Sequence, residues 1–230
     1  MDALYSFGNF RIKTIVNGGD WKENCYLVMH EIDNSLILVD PGDSAEDIIS
    51  SIASSFGSLH AVLLTHAHHD HVGAASLICD HFNLRCQLHK DDVRLLHHAP
   101  MYAMTFAKKR ILPVKSYLTF ETGDLLTIGD ICIRILHTPG HTPGSVCIDF
   151  GGFIFTGDTV LFEHIGRTDL PGGDPKLILA SIDKLFLECG DRDPMLFPGH
   201  GRPWKLSEAA LWWEKSREIA PNYMEPGGLG

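Results

Sequence analysis

The run Ala61-Val62-Leu63-Leu64-Thr65-His66-Ala67-His68-His69-Asp70-His71-Val72-Gly73 decides how this chain is read. Its four apolar residues suit a short buried strand, and they lead straight into a segment carrying four histidines and a carboxylate. Packing alone has no use for imidazole at that density. His66, His68, Asp70 and His71 are good donors for a borderline divalent metal: imidazole suits zinc and iron, and the carboxylate oxygen widens the choice to manganese. A solvated polar turn is the bland alternative. Val72 to Ile78 reads as the start of a helix. The donors therefore fall on a strand-to-helix turn at the carboxyl end of a strand, where open α/β sheets build their sites.

Outward from this turn, apolar runs and turn residues mark the other elements. Phe10 to Val16, Cys25 to Met29 and Leu36 to Val39 read as strands, separated by Asn17-Gly18-Gly19 and by charged turns. Ser44 to Phe56 has helical spacing, with Ser44 as the expected N-cap. Leu84 to His89 reads as a strand, and Asp91 to Phe106 as a helix broken at Pro100. Strands are expected again at Ile131 to His137, Ser145 to Phe150, Phe153 to Phe155 and Met195 to Phe197. Asp174-Pro175 opens a helix to about Glu188, with Asp as cap and Pro at the first helical position. Leu206 to Arg217 reads as a last helix, in which Leu211-Trp212-Trp213 would face the core. No linker interrupts the chain, so residues 1–220 are expected to form a single domain, with 221–230, rich in Gly and Pro, a frayed tail. The element order describes two similar halves, each a small sheet covered by helices on one face. Packed sheet against sheet, they make an α/β four-layer αββα sandwich.

The second half repeats the pattern of a strand followed by a donor. Leu136-His137-Thr138-Pro139-Gly140-His141-Thr142-Pro143-Gly144 holds a tandem His-Thr-Pro-Gly, whose prolines and glycines force tight turns just past a strand. Spacing alone does not choose between His137 and His141. Phe155-Thr156-Gly157-Asp158-Thr159 puts a carboxylate directly after an apolar strand, and Phe197-Pro198-Gly199-His200-Gly201 does the same with a histidine. Each has a bland reading, a capping Asp or a turn His, but the recurrence of one arrangement at several strand ends argues for a shared site.

Asp40 in Val-Asp-Pro-Gly, the His-x-His-x-Asp-His run, His141, Asp158 and His200 together resemble the metallo-β-lactamase superfamily over roughly Phe10 to Gly201. Gly166-Arg167-Thr168-Asp169-Leu170-Pro171-Gly172-Gly173 after the Gly-Asp-Thr segment looks most like the short, glyoxalase II-like hydrolases. The resemblance implies that His66, His68 and His141 hold one metal and that Asp70, His71 and His200 hold a second. Asp158 would bridge both, and Asp40 would orient ligands without binding metal. Two divalent cations per chain are expected, zinc first, with iron or manganese as alternatives. In glyoxalase II a basic residue and, two places on, a tyrosine follow the bridging Asp. Here Arg167 stands at the basic position, where it could take a substrate carboxylate, and Asp169 replaces the tyrosine. Thirty residues follow His200, without the helical domain that contributes to glutathione binding in the full-length family.

Seven donors exceed what one tetrahedral zinc can use. A shared carboxylate lets two cations sit ~3.5–4 Å apart and activate a bridging hydroxide near neutral pH. Asp70 could orient that nucleophile or carry its proton. No dedicated general acid is evident, so a small-molecule thioester, whose parent thiol has a pKa of ~8.5, is the natural substrate. The Gly-Arg-Thr-Asp stretch also resembles persulfide dioxygenases, in which His66, His141 and Asp158 would hold a single iron. A metal-binding domain without turnover is the third reading, disfavoured by the complete donor set. A formal charge of −10 argues against a nucleic-acid partner. The six cysteines form no Cys-x-x-Cys pair and read as buried thiols of a reducing compartment. No signal peptide and no membrane-length apolar run is visible, which points to a cytoplasmic protein.

Overall fold

The computed structural model describes residues 3–16 and 22–219. The Asn17-Gly18-Gly19 turn and the 221–230 tail lie outside the described residues. Strands β1 (Leu4–Phe7), β2 (Phe10–Val16), β3 (Asn24–His30) and β4 (Ser35–Val39) meander antiparallel, and helix α1 (Ala45–Ala53) crosses to β5 (Ser58–Leu63), parallel to β4. A single turn, α2 (His69–Val72), and α3 (Ala75–Phe82) lead to β6 (Cys86–His89). A 3₁₀ turn at Lys90–Asp92, α4 (Val93–Tyr102) and a π-helical turn at Ala103–Ala107 then precede β7 (Tyr117–Phe120). These seven strands form one sheet in chain order.

The second half opens with β8 (Leu125–Ile128), β9 (Ile131–His137), β10 (Val146–Asp149) and β11 (Phe153–Gly157), antiparallel neighbours in turn. A small ribbon, β12 (Val160–Leu161) and β13 (His164–Ile165), precedes α5 (Pro175–Cys189). Strand β14 (Met195–Pro198) joins parallel to β11, followed by β15 (Trp204–Lys205) and α6 (Leu206–Ile219). The six strands of this sheet run in the order β15-β14-β11-β10-β9-β8.

The pleat explains the layering. Along β4, Ile37 and Val39 point into a cluster with Ile133, Ile148 and Phe155 of the other sheet, while Leu36 and Leu38 face Ile48, Ile52 and Ile78 of the helices outside. Both faces of the strand are buried, so it reads as a continuous apolar run. On the far side, Ile154 and Leu196 meet Ile178, Ile182 and Trp213 of α5 and α6. Two helical layers thus cover two face-to-face sheets, the αββα sandwich expected. Helix α6 buries Leu206, Ala209 and Trp213, with Trp212 packed partly against them; the Trp213 indole Nε1 donates to Asp183 at 2.8 Å, whereas Leu211 points to solvent at 59% exposure.

Several local expectations change. Ser44 precedes α1, but its backbone is left-handed (φ 51°) and its side chain makes no cap. Helix α4 runs through Pro100 without breaking, and the ladder adjusts only beyond it, in the wider π turn. The helix expected from Val72 is split at Gly73-Ala74 into α2 and α3. All six cysteines are free, as expected, but Cys132 is exposed, since it faces outward on β9. Asp174 caps α5 as read, accepting from the amides of Lys176 and Leu177 at 2.8 and 3.0 Å. Among the described residues no helix is long and apolar enough to cross a membrane.

Candidate metal centre

Five strands of the two sheets end at one edge of the sandwich, and each is followed by a polar residue of the site. Asp40 follows β4, the His66–His71 turn follows β5, His141 follows β9, Asp158 follows β11 and His200 follows β14. Hydrogen bonds between the sheets fix this edge: Val146 N donates to Thr65 O at 2.9 Å, Asn24 N to Gly199 O at 2.8 Å, and the Tyr26 hydroxyl to Pro198 O at 2.5 Å. Two glycines make the crowding possible. Gly157 has φ +48°, and a side chain there would strike that of Thr65. A side chain at Gly199 would strike the carboxylate of Asp158 and the ring of His71.

All seven expected donors converge. His141 Nε2 lies 3.2 Å from His66 Nε2 and 2.8 Å from His68 Nδ1. His200 Nε2 lies 3.3 Å from His71 Nε2 and 3.4 Å from Asp70 Oδ2. Asp158 reaches both groups, with Oδ1 3.5 Å from His71 Nε2 and Oδ2 at 3.5 and 3.6 Å from His141 and His200 Nε2. His66, His68 and His141, and separately Asp70, His71 and His200, each offer donor atoms within 4.8 Å of one another.

The residues behind the donors fix which ring nitrogens face inward with lone pairs. The Asp40 carboxylate takes the amide of Thr65 at 2.7 Å on Oδ1, and on Oδ2 the Thr65 hydroxyl at 2.5 Å and His71 Nδ1 at 3.0 Å. Since Thr65 gives its one hydroxyl proton to Asp40, its oxygen accepts from His66 Nδ1, 3.1 Å away. A carbonyl can only accept, so His141 Nδ1 donates to Arg167 O at 2.7 Å. In the neutral ring each of His66, His71 and His141 therefore turns an unprotonated Nε2 toward the centre, the arrangement that metal-ligating histidines need. Asp40 does this from a left-handed backbone (φ 50°), which Asp tolerates better than most residues.

Electrostatics divides the centre in two. Burial, reinforced by neighbouring rings, holds His66 well below the usual histidine range and brings His68 down to about 3, so both are neutral donors. Burial also opposes charge on His71 and His200, but Asp158 and Asp70 outweigh it and push both upward. Asp70 and Asp158 are held below the carboxylate range by those histidines, against their own burial. The field at the second group thus demands positive charge. Buried Asp158 Oδ1 and His68 Nε2 have no hydrogen-bond partner. Neutral imidazoles, ionised carboxylates and an unsatisfied carboxylate oxygen are the donor chemistry that fits divalent cations.

A cavity of about 370 Å³ opens over these donors. Arg167 lines it, but its guanidinium forks onto Asp169 through Nε at 2.9 Å and a terminal nitrogen at 2.8 Å, with both side chains more than half exposed. His137 turns away from the cluster: Nε2 donates to Pro143 O at 2.8 Å and the ring stacks on His89 at 4.1 Å. His164 is exposed on β13, and His97 and His98 sit on α4 in contact with Tyr117 and with the Arg94 carbonyl. His69 lies on the cavity wall. Sequence reading missed Asp92. Its buried carboxylate accepts from Ala67 N at 2.9 Å, Thr142 Oγ1 at 2.8 Å and Gly144 N at 2.7 Å, tying the two histidine loops together. Only its place at the start of a helix could have hinted at a role.

A sequence profile of the metallo-beta-lactamase superfamily matches residues 18–200, and the chain belongs to that family. It is 35% identical over 192 residues to the hydroxyacylglutathione hydrolase GloC of Haemophilus influenzae, covering 79% of this chain and 86% of the relative. Among solved structures it resembles the BLEG-1 B3 metallo-beta-lactamase, with a TM-score of 0.78 and 32% identity, over 86% of this chain and 95% of that one. It also resembles TTHA1623 in a di-iron-bound form, with a TM-score of 0.77 and 33% identity, over 86% and 96%.

Proposed function

We propose that the chain is a dinuclear-metal hydrolase of thioesters. In this reading His66, His68 and His141 hold one divalent cation, Asp70, His71 and His200 hold the other, and Asp158 bridges them. The observation that carries it is the reach of Asp158, whose two oxygens lie 3.5–3.6 Å from nitrogens of both groups. Because the donors come from both halves, residues 1–220 are read as one domain. Bound there, the cations would acidify a water and polarise an acyl carbonyl.

The chain's own residues supply the positioning. Asp40, Thr65 and the Arg167 carbonyl hold the histidines in the tautomers described. Asp70 lines the cavity and stays ionised, placed to orient the attacking water. The water oxygen joins the acyl carbon, the carbon–sulfur bond breaks, and the sulfur leaves as a weakly basic thiolate that takes up a proton. The likeness to GloC, whose named substrate is an acylated glutathione, supports thioesters. Zinc is the metal proposed, and the di-iron form of TTHA1623 makes iron the competitor.

Elemental analysis of protein purified from its own host, paired with thioesterase and oxygen-uptake assays, tests this. Near two metal ions per chain with thioester cleavage is expected. Asp158→Ala should drop metal content well below wild type and abolish turnover. Full metal and normal turnover in that variant would sink the dinuclear assignment, and one iron with oxygen consumption would favour the dioxygenase.

A further inference from the structure

The cavity above the donors has two apolar walls that come from different halves of the molecule. Leu95 and Tyr102 of α4, with Phe106 of the π turn, form one wall; Leu161, Ile165 and Leu170 form the other. Tyr102 and Phe106 stack at 5.9 Å, and Phe106 remains 49% exposed, so the wall offers aromatic surface that the fold itself does not cover. Outside the donor set, Arg167 is the charged lining residue among the described residues, and its fork is taken by Asp169. A pocket of this size and character binds an apolar group and uses its few polar atoms for orientation.

We propose that the acyl group of the substrate is apolar and longer than acetyl, seated between these two walls with its carbonyl carbon over the donor cluster. The inference rests on the thioesterase reading and adds the chemical class of the acyl group. A hydroxyacyl group such as lactoyl would leave the walls uncovered and its hydroxyl without a partner on either.

The test uses metal-loaded full-length protein and a series of S-acyl-N-acetylcysteamine thioesters from acetyl to octanoyl, with S-lactoylglutathione as comparator. Burial of each methylene between the walls should raise kcat/KM about twofold to fourfold until the cavity is filled. Phe106→Ala should keep its metal while the hexanoyl-to-acetyl ratio falls about tenfold. A flat chain-length profile, preference for S-lactoylglutathione, or dependence on the length of the thiol arm alone would overturn the proposal. Calorimetric binding of S-alkyl thioether analogues separates the two readings. Affinity rising with alkyl length while no thioester turns over would support the apolar pocket and reject the thioesterase reading, and affinity indifferent to length would reject the pocket.

Discussion

His137 and His141 occupy equivalent places in a repeated tetrapeptide, yet only His141 turns its ring into the histidine cluster. His141→Ala should therefore lose metal, whereas His137→Ala, which removes a bond to Pro143 O and a ring stack, should keep metal and cost about 1–2 kcal/mol of stability. Metal analysis and denaturant melts check both, and the reverse pattern would reassign the ligand. Arg167 is the other residue on which the readings diverge. Its backbone holds His141 and its guanidinium holds Asp169, so Arg167→Ala should loosen the loop. It should lower kcat/KM by a similar factor, up to about tenfold (~1.4 kcal/mol), for charged and uncharged thioesters. A loss confined to glutathione conjugates would instead make Arg167 a reader of substrate carboxylates.

At the scale of elements, the site depends on how α4 is docked. Its N-terminal Asp92 is buried and accepts from three donors, two on the His-Thr-Pro-Gly loop and one on the turn after β5. Asp92→Asn replaces one acceptor oxygen with an NH₂ group, so a donor would face a donor. Metal affinity, read by competition with a chromogenic chelator, should fall about tenfold to a hundredfold, as for other groups that orient ligands from behind. Unchanged affinity would mean that the loops hold their geometry without it. The same helix carries the aromatic wall through its π turn, which follows Pro100 and re-aims the chain where a regular helix would have continued.

At the scale of the molecule, the donors bridge two sheets that otherwise meet through an apolar interface. Three carboxylates and five imidazoles packed at that seam are most favourable with cations between them. Chelation should therefore lower the melting temperature. With free metal about a hundredfold above Kd, binding contributes ~2.7 kcal/mol. For a domain of this size that corresponds to roughly 5–10 °C. Differential scanning calorimetry with and without chelator checks this, and an unchanged Tm would show that the seam is stable without bound metal.

The sequence by itself determined the layer order and all but one of the donor residues that converge at the sheet edge. Buried strands leave unbroken apolar runs, as in Leu36 to Val39, and donors at strand ends leave dense local motifs such as His66 to His71, both of which are short-range signals. The sandwich itself, and the helix capped at Asp174, follow from those runs. What the sequence left open was decided by partners distant along the chain. The choice between His137 and His141 depends on the Arg167 carbonyl, 26 residues away, and the role of Asp92 on Thr142, 50 residues away. Neither leaves a periodic trace, because a hydrogen bond made across the fold places no demand on neighbouring residues. The same holds for the cavity: its two apolar walls belong to different halves of the chain, and only the packing of one sheet on the other sets them face to face.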